Sequence, residues 1–292
     1  MKKTLVMAMI SAVMLSMAGC GNNAQPAADT AETAATEAAA DTAEEAGTEA
    51  EEAGTEAAEA ESTEETAEAD EAKSDGVMTY EEYLAADIDS EVTVETYIQA
   101  KQGWWEDNGQ GVATFYTQDA EGGYFIYNMP CSEEDYNDKL TVGAKIKVTG
   151  YKAEWSGEVE IMDATYEVED GTYVAEPLDV TSSLGSDDLE KYMNQSIAMK
   201  GLKVEASKDA NGEDAAFLYN YDGSGTEGDD LYFNVSANGA TYTFTVESYL
   251  CGKDTDVYKA VENLNIGDTI DIEGFLYWYE GAQPHVTSVT VE

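Results

Sequence analysis

The feature that most constrains this chain is a phrase written twice. Val142–Ile161 reads VGAKIKVTGYKAEWSGEVEI, and Ile266–His285, 124 residues later, reads IGDTIDIEGFLYWYEGAQPH. Leu140, Gly143, Ile146, Gly150 and Gly157 recur identically as Leu264, Gly267, Ile270, Gly274 and Gly281. Val142, Val148, Tyr151 and Trp155 recur by type as Ile266, Ile272, Phe275 and Tyr279. Ile146, Val148 and Gly150 alternate with Lys145, Lys147 and Thr149, which is a strand with one buried face. The Trp-Ser-Gly or Tyr-Glu-Gly that follows sits where a hairpin must turn. A chain that repeats this pattern builds the same supersecondary unit twice.

The repeat extends upstream. Thr79-Tyr-Glu-Glu is a capping box that opens a short helix over Tyr80–Ala86, leading into a strand at Val92–Ala100. Its second copy is a helix at Asp187–Met193, leading into Ile197–Val204. Paired strands follow: Ala113–Thr117 with Tyr124–Met129, and Ala216–Tyr221 with Leu231–Val235. The second copy adds a segment, Thr241–Tyr249. A helical stretch then precedes the repeated phrase. It starts at Ser132-Glu-Glu-Asp in copy one. In copy two it is Thr255–Leu264, with Val257, Ala260, Val261 and Leu264 on one face.

Each copy therefore reads strand, strand, strand, helix, strand, strand. That order is the five-stranded barrel called the OB-fold. FYTQDAEGGYFIYN around Phe115, LTVGAKIKVTGY and WSGEVEI resemble OB-fold domains of secreted bacterial proteins, including accessory domains of some extracellular nucleases. The expected fold is all-β with short helices: two tandem five-stranded OB-fold-like barrels, residues 76–170 and 171–292, behind a disordered tether. Two immunoglobulin-like sandwiches are the alternative, and the helix before the fourth strand counts against them.

The tether is read at residues 20–75. Asn22–Asp75 is built almost wholly of Ala, Glu, Thr and Asp, with EEAGTEA repeated at once from Glu44 and from Glu51. It has no Leu, Ile, Val or aromatic residue, so it can bury no core and its charges repel. Such a spacer reaches on the order of 40 Å. Ahead of it lie Lys2 and Lys3, an apolar run from Leu5 to Met17 too short to span a membrane permanently, and Ala18-Gly19-Cys20. This resembles a bacterial lipoprotein signal at residues 1–19, with Met17 where Leu is usual. The resemblance implies cleavage before Cys20, a lipid such as palmitate on its thiol, and anchoring to the extracytoplasmic face of the cell membrane. The whole chain resembles an uncharacterised family of tandem OB-like lipoproteins of anaerobic Gram-positive bacteria.

Composition then narrows the chemistry. The chain has no Arg, and from Gly76 onward it carries 11 Lys against 43 Asp and Glu, a balance of −32. A surface of that sign repels phosphate backbones and anionic headgroups, so nucleic acid is expected to be excluded as a partner. The remaining cysteines, Cys131 and Cys251, follow the third strand of each copy and are expected to be free, partly buried thiols. No Cys/His cluster suits zinc, and no cofactor is expected. The acidic loop Asp222–Asp230 offers oxygens that calcium accepts, but its spacing is not that of an EF-hand.

The single histidine, His285, reads as a strand residue at a barrel rim rather than a catalytic base, and no G-x-S-x-G elbow is present. The chain is read as non-enzymatic. Trp104, Trp105, Trp155, Tyr277, Trp278 and Tyr279 fall in or beside the first-to-second and fourth-to-fifth strand loops, which flank the ligand face of such barrels. Trp105, Trp278, Trp155 and Tyr279 are the candidate ligand contacts. Trp105 and Trp278 are preferred because their neighbours can supply the packing ring. The expected ligand is a glycan or small polar solute. An assembly lipoprotein that contacts another envelope protein is the second reading, and an unrecognised hydrolase the third.

Overall fold

The computed structural model describes residues 73–292. The signal segment, Cys20 and the greater part of the acidic linker lie outside the described residues. Two closed barrels follow, both within one compact unit.

Barrel one comprises β1 (Glu91–Lys101), β2 (Gln110–Gln118), β3 (Gly123–Pro130), β4 (Ala144–Trp155) and β5 (Glu158–Thr172). They pair in the order β1-β2-β3-β5-β4, and β4 closes back on β1. Only β3 and β5 run parallel, with Phe125 opposite Glu160. Barrel two comprises β6 (Ser196–Glu205), β7 (Leu231–Ala237), β8 (Ala240–Val246), β9 (Thr269–Phe275) and β10 (His285–Val291). It closes in the same order, with β8 and β10 parallel at Thr245 and His285. This is the OB-fold arrangement twice.

The helices sit where the repeat placed them. Thr79 and Glu82 form the reciprocal capping box of α1 (Tyr80–Ala85). Its counterpart, Asp187–Tyr192, is a 3₁₀ helix capped by Ser186. Between the third and fourth strands lie α2 (Glu133–Asp138) and α3 (Asp256–Glu262). On α3 the buried residues are Val257, Tyr258 and Val261, so Tyr258 takes the place expected for Ala260.

The recurrent residues earn their recurrence in packing. Leu140 and Leu264 enter the two cores, as do Ile146 and Ile270, and Val148 and Ile272. Gly150 and Gly274 each sit at a bulge in the fourth strand. A Cβ there would lie 2.7 Å from the Met162 carbonyl or 2.3 Å from that of His285. Only a residue without a side chain lets the fourth and fifth strands approach so closely.

One expectation is corrected in barrel two. Ala216–Tyr221 is not its second strand, and contributes only a two-residue edge ladder, Leu218–Tyr219. The second and third strands are β7 and β8. Asn238 and Gly239 join them, both with positive φ (52° and 82°), the tight turn that matches strand twist. The acidic loop therefore lies before the second strand. Cys131 and Cys251 are free and buried, as expected, and burial raises both thiols to about 11.

Candidate functional site

Side chains alternate along a strand, so a barrel has an inner and an outer set. In β2 and β3, Phe115, Tyr124 and Ile126 fill core one, while Tyr116 and Phe125 turn outward. These outward rings do not meet water. They pack on Phe275, Leu250 and Tyr277 of barrel two, with Tyr116 stacked on Phe275 at 4.7 Å between centroids.

Polar contacts lock this seam. Gln102 Nε2 donates to Tyr116 Oη at 3.3 Å, which leaves the phenol proton for His285 Nδ1 at 2.6 Å. His285 thus sits at a barrel rim, as its position suggested, but that rim is buried against the other barrel. Burial lowers its pKa to about 3, so the ring is neutral, and Tyr277 stacks on it at 4.1 Å. The Ser196 amide donates to Gln118 at 2.7 Å, the Trp278 amide to Glu158 at 2.8 Å, and the Glu280 amide to the Ser156 carbonyl at 2.7 Å.

A cleft of about 840 Å³ opens beside the seam. Trp105, Trp155 and Tyr279 all line it, exposed by 44%, 59% and 46%. The structure therefore brings together three of the four candidate contacts, from both barrels. Trp105 is free to face the cleft because Trp104 does the packing: its indole covers Gly111 and donates to the Cys131 carbonyl at 3.1 Å. Trp155 stands at the end of β4, before the left-handed pair Ser156-Gly157.

Trp278 goes elsewhere. It packs against core two and covers Gly157, where a Cβ would lie 2.8 Å from its ring. It lines a separate depression of about 440 Å³, so in this loop the Trp packs and Tyr277 and Tyr279 line the cleft. At Trp278-Tyr279, as at Trp104-Trp105, the first ring packs and the second faces the cleft. Two adjacent aromatics look alike in sequence, and only the path of the backbone decides which one packs.

Tyr127, Tyr249, Glu160 and Glu247 also line the cleft and were not singled out by sequence. Tyr127 follows Phe125 by two residues, and Glu158 and Glu160 alternate with Val159 and Ile161, so their outward direction was readable. That this outer face borders a second barrel was not. Burial raises Glu160 to about 7. Glu247 is also raised to about 7, by burial and then by the charge of Asp230.

Among the described residues no group of three or more His, Cys, Asp or Glu is arranged to hold a metal ion. In the acidic loop, Asp222 accepts from Ser224, Asp229 from the Thr226 amide, and Asp230 from Ser248, so these carboxylates shape turns.

Fold and cleft together define a class: a tandem OB-fold-like β protein with a ligand-sized aromatic groove where its barrels meet. No family model and no curated protein matches the chain. It is similar to solved structures that include the tetrameric p202 HIN2 (12% identity, TM-score 0.29, covering 70% of this chain and 96% of that one). Others are the Ifi202 HINa domain in complex with 20 bp double-stranded DNA (13%, 0.31, 70% and 98%) and a murine DNA-binding protein bound to double-stranded DNA (12%, 0.32, 68% and 96%). At these identities the likeness concerns the fold. Two of these structures are DNA complexes, and the expectation that nucleic acid is excluded as a partner is corrected. The exclusion rested on net charge, a property of the whole surface, whereas an OB barrel binds through one local face.

Proposed function

We propose that this chain is a membrane-anchored surface lipoprotein, attached through Cys20. In this reading it works as a non-enzymatic binding module that takes a glycan or small polar solute into the interbarrel cleft. The observation that supports this is the convergence of Trp105, Trp155 and Tyr279, all partly exposed, on one concave surface. Exposed rings gathered in a hollow cost solvation and are kept where a ligand covers them. An assembly role would instead bury the Trp residues and leave a flat apolar patch elsewhere.

The test is intrinsic Trp fluorescence with acrylamide quenching, run against envelope glycans, small polar solutes and DNA. One glycan or solute class is expected to protect Trp105 and Trp155. Trp105→Ala and Trp155→Ala should each weaken that binding at least about tenfold, the scale of one lost stacking contact. Trp278→Ala should act on stability instead, lowering it by ~3 kcal/mol through the packing it loses. Protection by DNA alone, or by nothing, overturns the reading. Cys20→Ser is expected to move the chain from the membrane fraction to the soluble one.

A second reading, glycan hydrolysis, is favoured by the presence of two carboxyl groups, Glu160 and Glu247, in the one cleft with raised pKa. It predicts turnover of a bound glycan that Glu160→Gln abolishes.

A further inference from the structure

The cleft's electrostatics narrow its ligand. Three carboxyl groups line it, Glu154, Glu160 and Glu247, and no lysine does. Its only basic ring, His285, is buried and hydrogen-bonded to Tyr116. The described part of the chain has no arginine. Nothing in the lining therefore offers a formal positive charge to an anionic ligand.

Glu160 is the informative member. It is only 6% exposed, and among the described residues no hydrogen bond or ion pair engages its carboxyl group. It stands on β5 beside Phe125 of β3, facing outward into the cleft. A carboxylate withdrawn from water without a partner is costly. Its usual remedy is a lysine or arginine, and among the described residues none pairs with it. Glu247 differs, since one of its oxygens accepts the Leu250 amide at 2.8 Å. Around these acids stand the rings of Trp105 and Trp155 and the phenols of Tyr127, Tyr249 and Tyr279. Aromatic faces with carboxylates are the chemistry that holds an ammonium group, by cation–π attraction and by charge. The strongly acidic surface would steer such ligands toward it.

We propose that the cleft selects an organic cation: a small solute or a sugar bearing an ammonium group. Glu160 is its counter-ion and the Trp and Tyr faces are its cage. The inference rests on the cleft being a ligand site, as argued above, and specifies what that site prefers.

Matched pairs test it on the full chain by calorimetry at low salt. Choline is compared with its uncharged isostere 3,3-dimethylbutan-1-ol, and glucosamine with N-acetylglucosamine. The charged member of at least one pair is expected to bind about tenfold or more tightly than the neutral one. Added salt should weaken it. Glu160→Gln should erase the preference while leaving the melting temperature equal or higher, since it removes an unpaired buried charge. Equal binding of both members, or preference for the neutral one, overturns the cation inference and leaves the binding reading standing. Binding of neutral glycans only, through Trp155, does the same. No binding by any of these probes, with Trp emission unmoved by the wider glycan and solute set, overturns both.

Discussion

Gly274→Ala is expected to destabilise the protein by ~3 kcal/mol or more, through overpacking against backbone that cannot yield locally. Gly274 lies at the bulge of β9, paired on one side with Ile197 and on the other with Val286. A Cβ there would lie 2.3 Å from the His285 carbonyl and 2.9 Å from Val286 Cα, so β10 as a whole must shift. The His285 ring is the one hydrogen-bonded to Tyr116 and stacked under Tyr277, so the shift is transmitted to the seam and to the cleft wall. For a unit of this size the loss corresponds to a fall in melting temperature of about 6–12 °C. Gly239→Ala is the control. Its φ of +82° costs about 1 kcal/mol, but open space surrounds it. A Gly274→Ala melt within about 2 °C of the parent would mean that the strands do not approach as described.

Glu158→Gln is expected to stabilise the protein at high pH and to flatten its pH dependence. Glu158 is wholly buried on β5 at the seam. One carboxyl oxygen accepts the Trp278 amide, and the other accepts no hydrogen bond from the described residues, as is true of Asn194 Oδ1. Burial raises Glu158 to about 8, despite the Asn194 side chain and the Trp278 amide, which act to lower it. The folded state therefore holds a proton that the unfolded state has released between about pH 4.5 and 8. Stability falls as pH rises through that window. At ~1.4 kcal/mol per unit the loss is about 3–5 kcal/mol. Glu160 and Glu247, raised to about 7, act in the same sense.

His285 opposes them. Its folded pKa of about 3 lies below the ordinary 6.5, so its contribution is present above 6.5 and is lost as pH falls toward 3. The three carboxyls outweigh one imidazole down to about pH 4.5, and below it the imidazole and the carboxylates held low by hydrogen bonds, such as Asp179 and Glu205, act in the opposite sense, so melting temperature should peak at about pH 5. Glutamine at 158 keeps the acceptor for Trp278 and offers a donor to Asn194. Parallel melting curves for the parent and Glu158→Gln between pH 5 and 9 would show that Glu158 carries no raised pKa.

Several of these features were written in the chain. The spacing of Ile146, Val148 and Gly150, and its recurrence at Ile270, Ile272 and Gly274, determined that two like barrels form. Alternation of side chains is a local consequence of an extended backbone, and a bulge that needs glycine leaves glycine in the text. The capping box at Thr79 and the helix before each fourth strand were legible for the same reason. The Asn238-Gly239 turn was equally local, and its neglect misplaced the strands of barrel two. Tertiary structure alone decided how the outer faces were used. Tyr116, Phe125 and Phe275 are outward residues by pattern, and they became a buried seam only because a second barrel lies against the first. The same contact sent Trp278 over Gly157, turned Tyr279 and Trp155 into one shared cleft, and left Glu160 with no hydrogen bond or ion pair among the described residues. Burial at a contact between distant segments depends on which surfaces meet, and no periodicity within either segment records that.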